Sequence, residues 1–383
     1  MAGAEVLFIS YTGLLEPLGA SQVVPYVRGL AQKGHHMAVL SFERTALHDP
    51  ALASLRATLA AEGVEWVPLR YHKRPPLAST LADVAAGILH ARRFLGRGLR
   101  LVHARSHVPA LIAHFLLRRH RVPFVFDLRG RMADEYADAG IWPAGGWMYR
   151  QVEQWEATFV KEAAGTVVLT DRFGADLRER AARLAVIPCA VDLARFQPRR
   201  ADSTPQFDLV YAGSWSGLYL ADEVLRFFVR LRELRPSARL LLLVPRAAEL
   251  RDLPPGVEGR TARPEEVPAL LATARAGISL RRPGRAQVAA SPVKISEYFA
   301  CGLPVLTSLG VGDLDLLIPQ RRVGVVLRGF GEGEMREGAA SLIPLLDDPD
   351  VARRCRAVAE ERYALESAVD AYDRLYRSIP GNG

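Results

Sequence analysis

Short apolar runs recur along the chain, and each is followed by a longer stretch whose apolar residues return every three or four positions. That alternation is the signature of strand–helix–strand units. The first unit opens with an apolar run at 5–10, then a loop holding Gly13 and Gly19. A helix from about 21 to 33 follows, ended by Gly34, and a second run occupies 37–42. A matching unit opens the second half: a run at 208–211, the loop Gly213-Ser214-Trp215-Ser216-Gly217, a helix over 220–234 and a run at 239–244. Further strands are predicted at 66–69, 101–104, 124–128, 165–169 and 183–187, and then at 257–258, 276–280, 304–307 and 324–327. Continuous apolar runs, rather than alternating ones, suit parallel strands covered by helices on both faces. The expected class is α/β, with two Rossmann-like doubly wound domains. Residues 188–200 read as the linker. The boundaries expected are 1–190, 191–365 and a C-terminal helix, 366–383, that packs back on the first domain. Ligands in such sheets bind beyond the carboxyl ends of the strands, so two domains with those ends facing each other would form an interdomain cleft.

Composition narrows the classes. The chain has 383 residues, 49% hydrophobic and 24% charged, which is the balance of a soluble globular protein. Three cysteines, Cys189, Cys301 and Cys355, are far apart and odd in number. They argue against a disulfide framework and against a cysteine metal site. The first residues run almost directly into an apolar run too short for a signal peptide and without its basic flank. The expected location is therefore cytoplasmic. The formal charge of +8 suits anionic partners. No nucleic-acid motif appears, and the basic residues are not interleaved with aromatics. Two stretches, 88–100 and 110–121, set Leu, Ile or Phe beside Arg, as helices lying on the inner face of a membrane do. Core helices with a solvated basic end look the same.

The segment Ser291-Pro292-Val293-Lys294-Ile295-Ser296-Glu297-Tyr298 carries the most chemistry. It reads as a helix start, with Ser291 as N-cap and Pro292 at the first helical position. Gly302 and Pro304 end that helix. Lys294 is out of place, because a cation is disfavoured at the positive end of a helix dipole. A bound anion at the free N–H groups there would resolve the conflict. Only four of the 50 basic residues are lysines, Lys33, Lys73, Lys161 and Lys294, so this one stands out. Glu297, one turn on, shares its face. A phosphate-facing lysine beside a hydroxyl-accepting carboxylate suits a sugar nucleotide. A surface Lys–Glu pair on an ordinary helix reads equally well from spacing alone.

Neither glycine loop is a dinucleotide fingerprint or a phosphate-binding loop. The cluster from Phe126-Asp127-Leu128-Arg129-Gly130 to Glu135 fits an active-site rim, or a solvated loop of ion pairs. His103, Arg105 and His107 follow a strand without a matching acid cluster, so no metal site is expected. Asp313 and Asp315 form a D-x-D that reads as a helix start or turn.

With these pieces in place, the chain resembles the family-four retaining glycosyltransferases of the GT-B fold, nearly end to end. The likeness is carried by Gly13-Leu14-Leu15-Glu16-Pro17-Leu18-Gly19-Ala20-Ser21-Gln22, by Phe126-Asp127-Leu128-Arg129-Gly130, and by Ile187-Pro188-Cys189-Ala190-Val191-Asp192 before Arg195-Phe196. Tyr211-Ala212-Gly213-Ser214 adds to it, and the 291–305 segment is a recurring variant of the family's donor motif. The resemblance implies a nucleoside-diphosphate sugar as donor, a hydroxyl acceptor, no cofactor and no metal. Glu297 would hold the ribose hydroxyls. Ser291, the Pro292–Val293 backbone and the Lys294 ammonium would face the diphosphate or sugar, with Gly213, Ser214 and Arg282 nearby. Gly19 and Ala20 would lie over the diphosphate from the other domain. Asp127 and Arg129 would line the acceptor side, and Lys294 would stabilise leaving-group charge. Three departures stand out. Ala289 replaces the first of the family's paired glutamates, Ser214 replaces an arginine, and Arg129 stands about where a histidine is usual.

The activity so implied is glycosyl transfer with retention to a glycan, a lipid-linked acceptor or a small metabolite. A nucleotide-sugar epimerase on the same fold is the nearest rival, since fold does not fix function. A sugar-binding protein without catalysis is the rival of another class.

Overall fold

The computed structural model of the chain describes residues 3–200, 203–215 and 219–380. Ser216 and Gly217 of the expected second glycine loop lie outside the described residues. All thirteen anticipated strands are present, in two parallel sheets. The first contains β1 (Val6–Ser10), β2 (Met37–Glu43), β3 (Glu65–Arg70), β4 (Leu101–Arg105), β5 (Phe124–Asp127), β6 (Gly165–Val168) and β7 (Leu184–Val186). Their order is β3-β2-β1-β4-β5-β6-β7. The second contains β8 (Phe207–Ala212), β9 (Leu240–Leu243), β10 (Val257–Arg260), β11 (Ala274–Ser279), β12 (Val305–Ser308) and β13 (Gly324–Leu327), in the order β10-β9-β8-β11-β12-β13. Both orders reverse beside the first strand of their sheet, which is the doubly wound arrangement with its switch point there.

Every residue of β1, β2, β4, β5, β6, β8, β9 and β12 is buried. Helices therefore cover both faces of the central strands, as their unbroken apolar runs require. By compactness the chain divides into two units: residues 1–133, 143–187 and 365–383, and residues 134–142 and 188–364. The chain thus visits the second unit briefly at 134–142 before its main crossing.

Within the first unit the helix Leu365–Ser378 packs on the helix Val24–Gln32 and the sheet. Tyr372 meets Tyr26 edge-on at 5.5 Å, Asp373 pairs with His35 at 2.7 Å, and Lys33 pairs with Asp370 at 2.6 Å. Gly29 is needed for the contact, since a Cβ there would sit 2.6 Å from a Val369 methyl. The helix expected over 21–33 is in fact two, Pro17–Gln22 and Val24–Gln32, broken at Val23. Pro25 explains the break, because its nitrogen cannot donate into the preceding turn.

Candidate functional site

The C-terminal unit builds its site around the helix Val293–Ala300. The helix ends as its sequence suggests. Gly302 takes φ +75°, Leu303 N–H donates to Tyr298 O and Gly302 N–H to Phe299 O, closing a Schellman motif. Its start differs from expectation. Pro292, not Ser291, is the N-cap residue, and no side chain caps the helix. Ser291 Oγ instead accepts from the backbone N–H of Cys189 at 3.2 Å and so ties the helix start to the segment that opens this unit. With the hydroxyl turned to that N–H, it is not on the first-turn donors.

Tyr298 fixes the helix against the sheet. Its hydroxyl accepts from Ala212 N–H at 2.9 Å, at the last residue of β8. Its ring lies over Gly277 of β11, where a Cβ would fall 2.2 Å from the ring. A tyrosine one turn beyond Lys294 thereby holds the carboxyl end of β8 beside the helix start. Gly213, the next residue, has φ +122°. That conformation is open to glycine and strained for other residues.

Lys294 sits in the angle so formed. It is buried, and its Nζ lies over two aromatic faces, 4.0 Å from the Tyr211 ring centre and 3.7 Å from that of Tyr219. Tyr219 is held there by a bridge to Arg281, whose guanidinium also lies over its ring at 5.0 Å. Among the described residues the ammonium has no hydrogen-bond partner. A surface Lys–Glu pair is thus overturned: Lys294 is inside and makes no ion pair with Glu297 among the described residues. Burial pushes the lysine well below its ordinary value, Arg281 pushes it further, and Glu297 opposes both. The two ring faces favour the charged form and offset part of that cost.

Glu297, half-buried by surface area, has a carboxyl closely surrounded by protein. Burial raises it to about 7, against the pull of Lys294 and Arg195. Gln287, also buried, accepts from Arg281 Nε at 2.6 Å and leaves its own Nε2 without a partner among the described residues. Ser279 Oγ, at the end of β11, is unpartnered in the same sense. A buried ammonium, an amide and a hydroxyl with no acceptor all come from the stretch between β11 and the first turn of this helix. Buried polar groups are normally satisfied, so among the described residues this stretch carries unmet hydrogen-bonding capacity.

The remaining residues expected on the donor side are more scattered. Gly213 and Ser214 are exposed at the end of β8, and Ser214 O accepts from the Tyr211 hydroxyl. Arg282 is exposed. Pro292 is buried and Val293 half-buried at the helix start. Asp138, from the 134–142 excursion, accepts from Ala286 N–H at 3.1 Å and fills the space over Gly284, where a Cβ would lie 2.1 Å from Oδ2. The D-x-D is a helix start: Asp313 is the N-cap residue of Leu314–Arg321 and pairs with Arg362 at 3.4 Å, while Asp315 accepts from Gly310 N–H at 2.9 Å.

The N-terminal unit treats charge differently. Arg105, last in β4, is the register neighbour of Asp127, last in β5. The Asp127 carboxylate accepts from Arg105 at 3.5 Å and from Arg129 at 3.3 Å, with His103 Nε2 at 3.3 Å. His103 is stacked on Phe8 at 4.0 Å and reaches the Tyr376 hydroxyl at 2.6 Å through its other nitrogen. Burial alone would raise the Asp127 carboxyl, but Arg129, His103 and Arg105 outweigh it and hold it below the ordinary carboxylate range. Burial lowers His103, against Asp127. Asp127, expected to line a surface, is instead enclosed and positions cations. At this strand end Asp127 is a buried member of an ion cluster, not part of a solvated loop, while Arg129 is half-buried.

Gly19 is buried against Gly13, with room for no Cβ, since one would lie 1.9 Å from Gly13 O. Ala20 is exposed. The loop is held from behind by Glu43, which accepts from Leu14 N–H at 2.9 Å and from Ser41 Oγ at 2.5 Å. Tyr211, Tyr219, Gln287 and Tyr298 escaped sequence reasoning. Tyr211 and Tyr298 did carry a signal, their places in the quoted motifs.

Residues 20–195 match the family model described as Glycosyltransferase Family 4. The segment containing Lys294 and Glu297 lies outside that match. No curated protein sequence matches the chain. Among solved structures, sucrose-phosphate synthase from Thermosynechococcus elongatus is 15% identical, with TM-score 0.72 over 98% of this chain and 98% of that one. Anabaena HepE, in complex with UDP and glucose, is 14% identical, with TM-score 0.70 over 98% of this chain and all (100%) of that one. WaaG, a glycosyltransferase involved in lipopolysaccharide biosynthesis, is 18% identical, with TM-score 0.63 over 98% and 100%. The two parallel sheets and these end-to-end likenesses give the chain the GT-B fold.

Proposed function

We propose that this protein transfers a glycosyl group from a nucleoside-diphosphate sugar to a hydroxyl acceptor, with retention and without a metal. The observation that carries the proposal is Lys294: a buried ammonium in the first turn of a helix with no protein acceptor among the described residues. A diphosphate supplies the missing acceptor and suits the helix dipole. The family match, and solved relatives of the fold bound to UDP or UDP-glucose, support the choice of anion.

In the reaction the bond from the anomeric carbon to the diphosphate oxygen breaks, and a bond from that carbon to the acceptor oxygen forms on the same face. The acceptor proton passes to the departing diphosphate. Charge grows on the leaving oxygens, where an ammonium already in place costs no reorganisation. Glu297 would accept from the ribose hydroxyls. The donor half of the reading rests on the C-terminal unit alone. The parts given to Arg129, Gly19 and Ala20 rest on the family likeness, and Asp127 would act through Arg129.

Thermal melts with UDP, UDP-glucose and the other common nucleoside diphosphates and their sugars test this. Ligand at about 100 times its dissociation constant should stabilise by ~2.7 kcal/mol. Stabilisation should survive EDTA. No response to any of these ligands overturns the proposal, and a response that needs manganese overturns its metal-free part.

A further inference from the structure

The helix Pro76–Ala91 of the N-terminal unit buries Ala91 and half-buries Val84 and Ile88, yet leaves all three of its leucines outside. Its buried face carries Ser79, Asp83 and Gly87, while Leu77, Leu81, Ala85 and Leu89 form a stripe at four-residue spacing that faces solvent. The three leucines are 54%, 58% and 60% exposed. On that face Asp83 is well partnered, while His90 Nδ1 is buried without a partner among the described residues. Asp83 accepts from the Tyr11 hydroxyl at 2.8 Å and from His72 N–H at 3.2 Å, with His72 Nδ1 at 2.6 Å. Gly87 lets the helix lie against Ile112 and Phe42, where a Cβ would come 2.4 Å from an Ile112 methyl. The helix is therefore fixed with its leucines outward. Surface helices bury such a stripe, whereas among the described residues nothing covers this one.

The charges around the stripe select the partner. Lys73 and Arg74 precede the helix, and Arg92 and Arg93 follow it, all exposed. The adjoining helix His107–His120 exposes Phe115 and Arg119 one turn apart. None of these five cations forms an ion pair among the described residues. The only acid of the leucine helix, Asp83, is buried. A second copy of the chain would bring the same unpaired cations against themselves. An anionic bilayer offers acyl chains to the leucines and phosphates to the cations.

We infer that this face docks on an anionic phospholipid surface, with Leu77, Leu81 and Leu89 in the acyl boundary and Lys73, Arg74, Arg92 and Arg93 at the head groups. The attachment is peripheral: among the described residues no helix is long and apolar enough to cross a membrane. The stretches first expected to meet a membrane, 88–100 and 110–121, supply the basic margins, and the apolar face lies just before them.

Flotation with phosphatidylcholine vesicles, with and without phosphatidylglycerol, tests the inference on the full chain. The protein should float with the anionic vesicles and be released at high salt. Leu81→Glu should weaken binding by roughly tenfold or more, and Leu77→Glu with Leu89→Glu should add to the loss. Arg92→Glu with Arg93→Glu should weaken binding to anionic vesicles. Because all these side chains point to solvent, melting temperatures should stay at the wild-type value. Wild-type protein that stays unbound, or leucine variants that bind like wild type, overturns the inference. So does a light-scattering mass of a dimer that Leu81→Glu converts to monomer, since the stripe would then be a self-interface.

Discussion

Each unit of this chain buries charge at the carboxyl end of its sheet, and the two do it in opposite ways. In the N-terminal unit Asp127 is surrounded by Arg105, Arg129 and His103, and the histidine is itself held by Tyr376 and Phe8. In the C-terminal unit Lys294 has two aromatic faces and no acceptor among the described residues, and the acid one turn on, Glu297, is pushed up to about 7. Desolvating an ion is costly unless its partners are present. The first arrangement is complete and serves the folded state. The second has no acceptor among the described residues, and on the proposed reading a bound anion completes it. On that reading, the unpartnered charge awaits a ligand, and the paired one braces a strand end.

Four substitutions can break or sharpen that contrast. The largest effect should come from Asp127→Ala. It strands two arginines, and removing one partner of a buried pair costs roughly 3–5 kcal/mol. Urea unfolding measures it, and a loss near zero would make the cluster no joint at all. Lys294→Met should go the other way. The ligand-free protein should be as stable as wild type or more so, because an unpaired buried cation is replaced by an apolar chain of similar length. The ~2.7 kcal/mol of stabilisation by saturating nucleoside diphosphate should largely vanish. A variant that melts several degrees lower and still binds nucleotide would make Lys294 a structural cation.

Glu297→Gln should change the pH dependence of stability. The folded carboxyl titrates near 7 against 4.5 unfolded. Between those values the folded state holds more protons, so this residue makes stability fall as pH rises through that window, and adds nothing further above it. The fall should be about 1–3 kcal/mol, since each tenfold change in proton affinity is worth about 1.4 kcal/mol and the carboxyl is partly solvated. Glutamine should remove the fall, and an unchanged profile from pH 4.5 to 7 would assign the slope elsewhere. Tyr298→Phe should be smallest, about 1 kcal/mol for leaving Ala212 N–H unpaired. Its further mark should be weaker nucleotide binding, since Gly213 and Lys294 are placed from that strand end. If binding is unchanged, the hydrogen bond supports the fold alone.

The sequence by itself determined the layered architecture. Apolar runs of two to six residues separated by helical spacing suit parallel strands under helices, so every strand was legible to within about two residues. The helix end at Gly302 was legible for the same local reason, and so was the anomaly of Lys294 in a first turn. Other features needed the tertiary structure because they join residues far apart in the chain. Ser291 was read as a cap because local geometry favours one, but Cys189 N–H, more than a hundred residues earlier, takes its hydroxyl. Asp127 was read as a rim residue because its neighbours alternate in charge, but register alignment with Arg105 encloses it. The box of Tyr211 and Tyr219 around Lys294 has no periodicity to reveal it. Secondary structure follows from interactions a few residues apart, which a sequence displays. Whether a charge is paired, and therefore whether it waits for a ligand, depends on which strand ends the fold brings together.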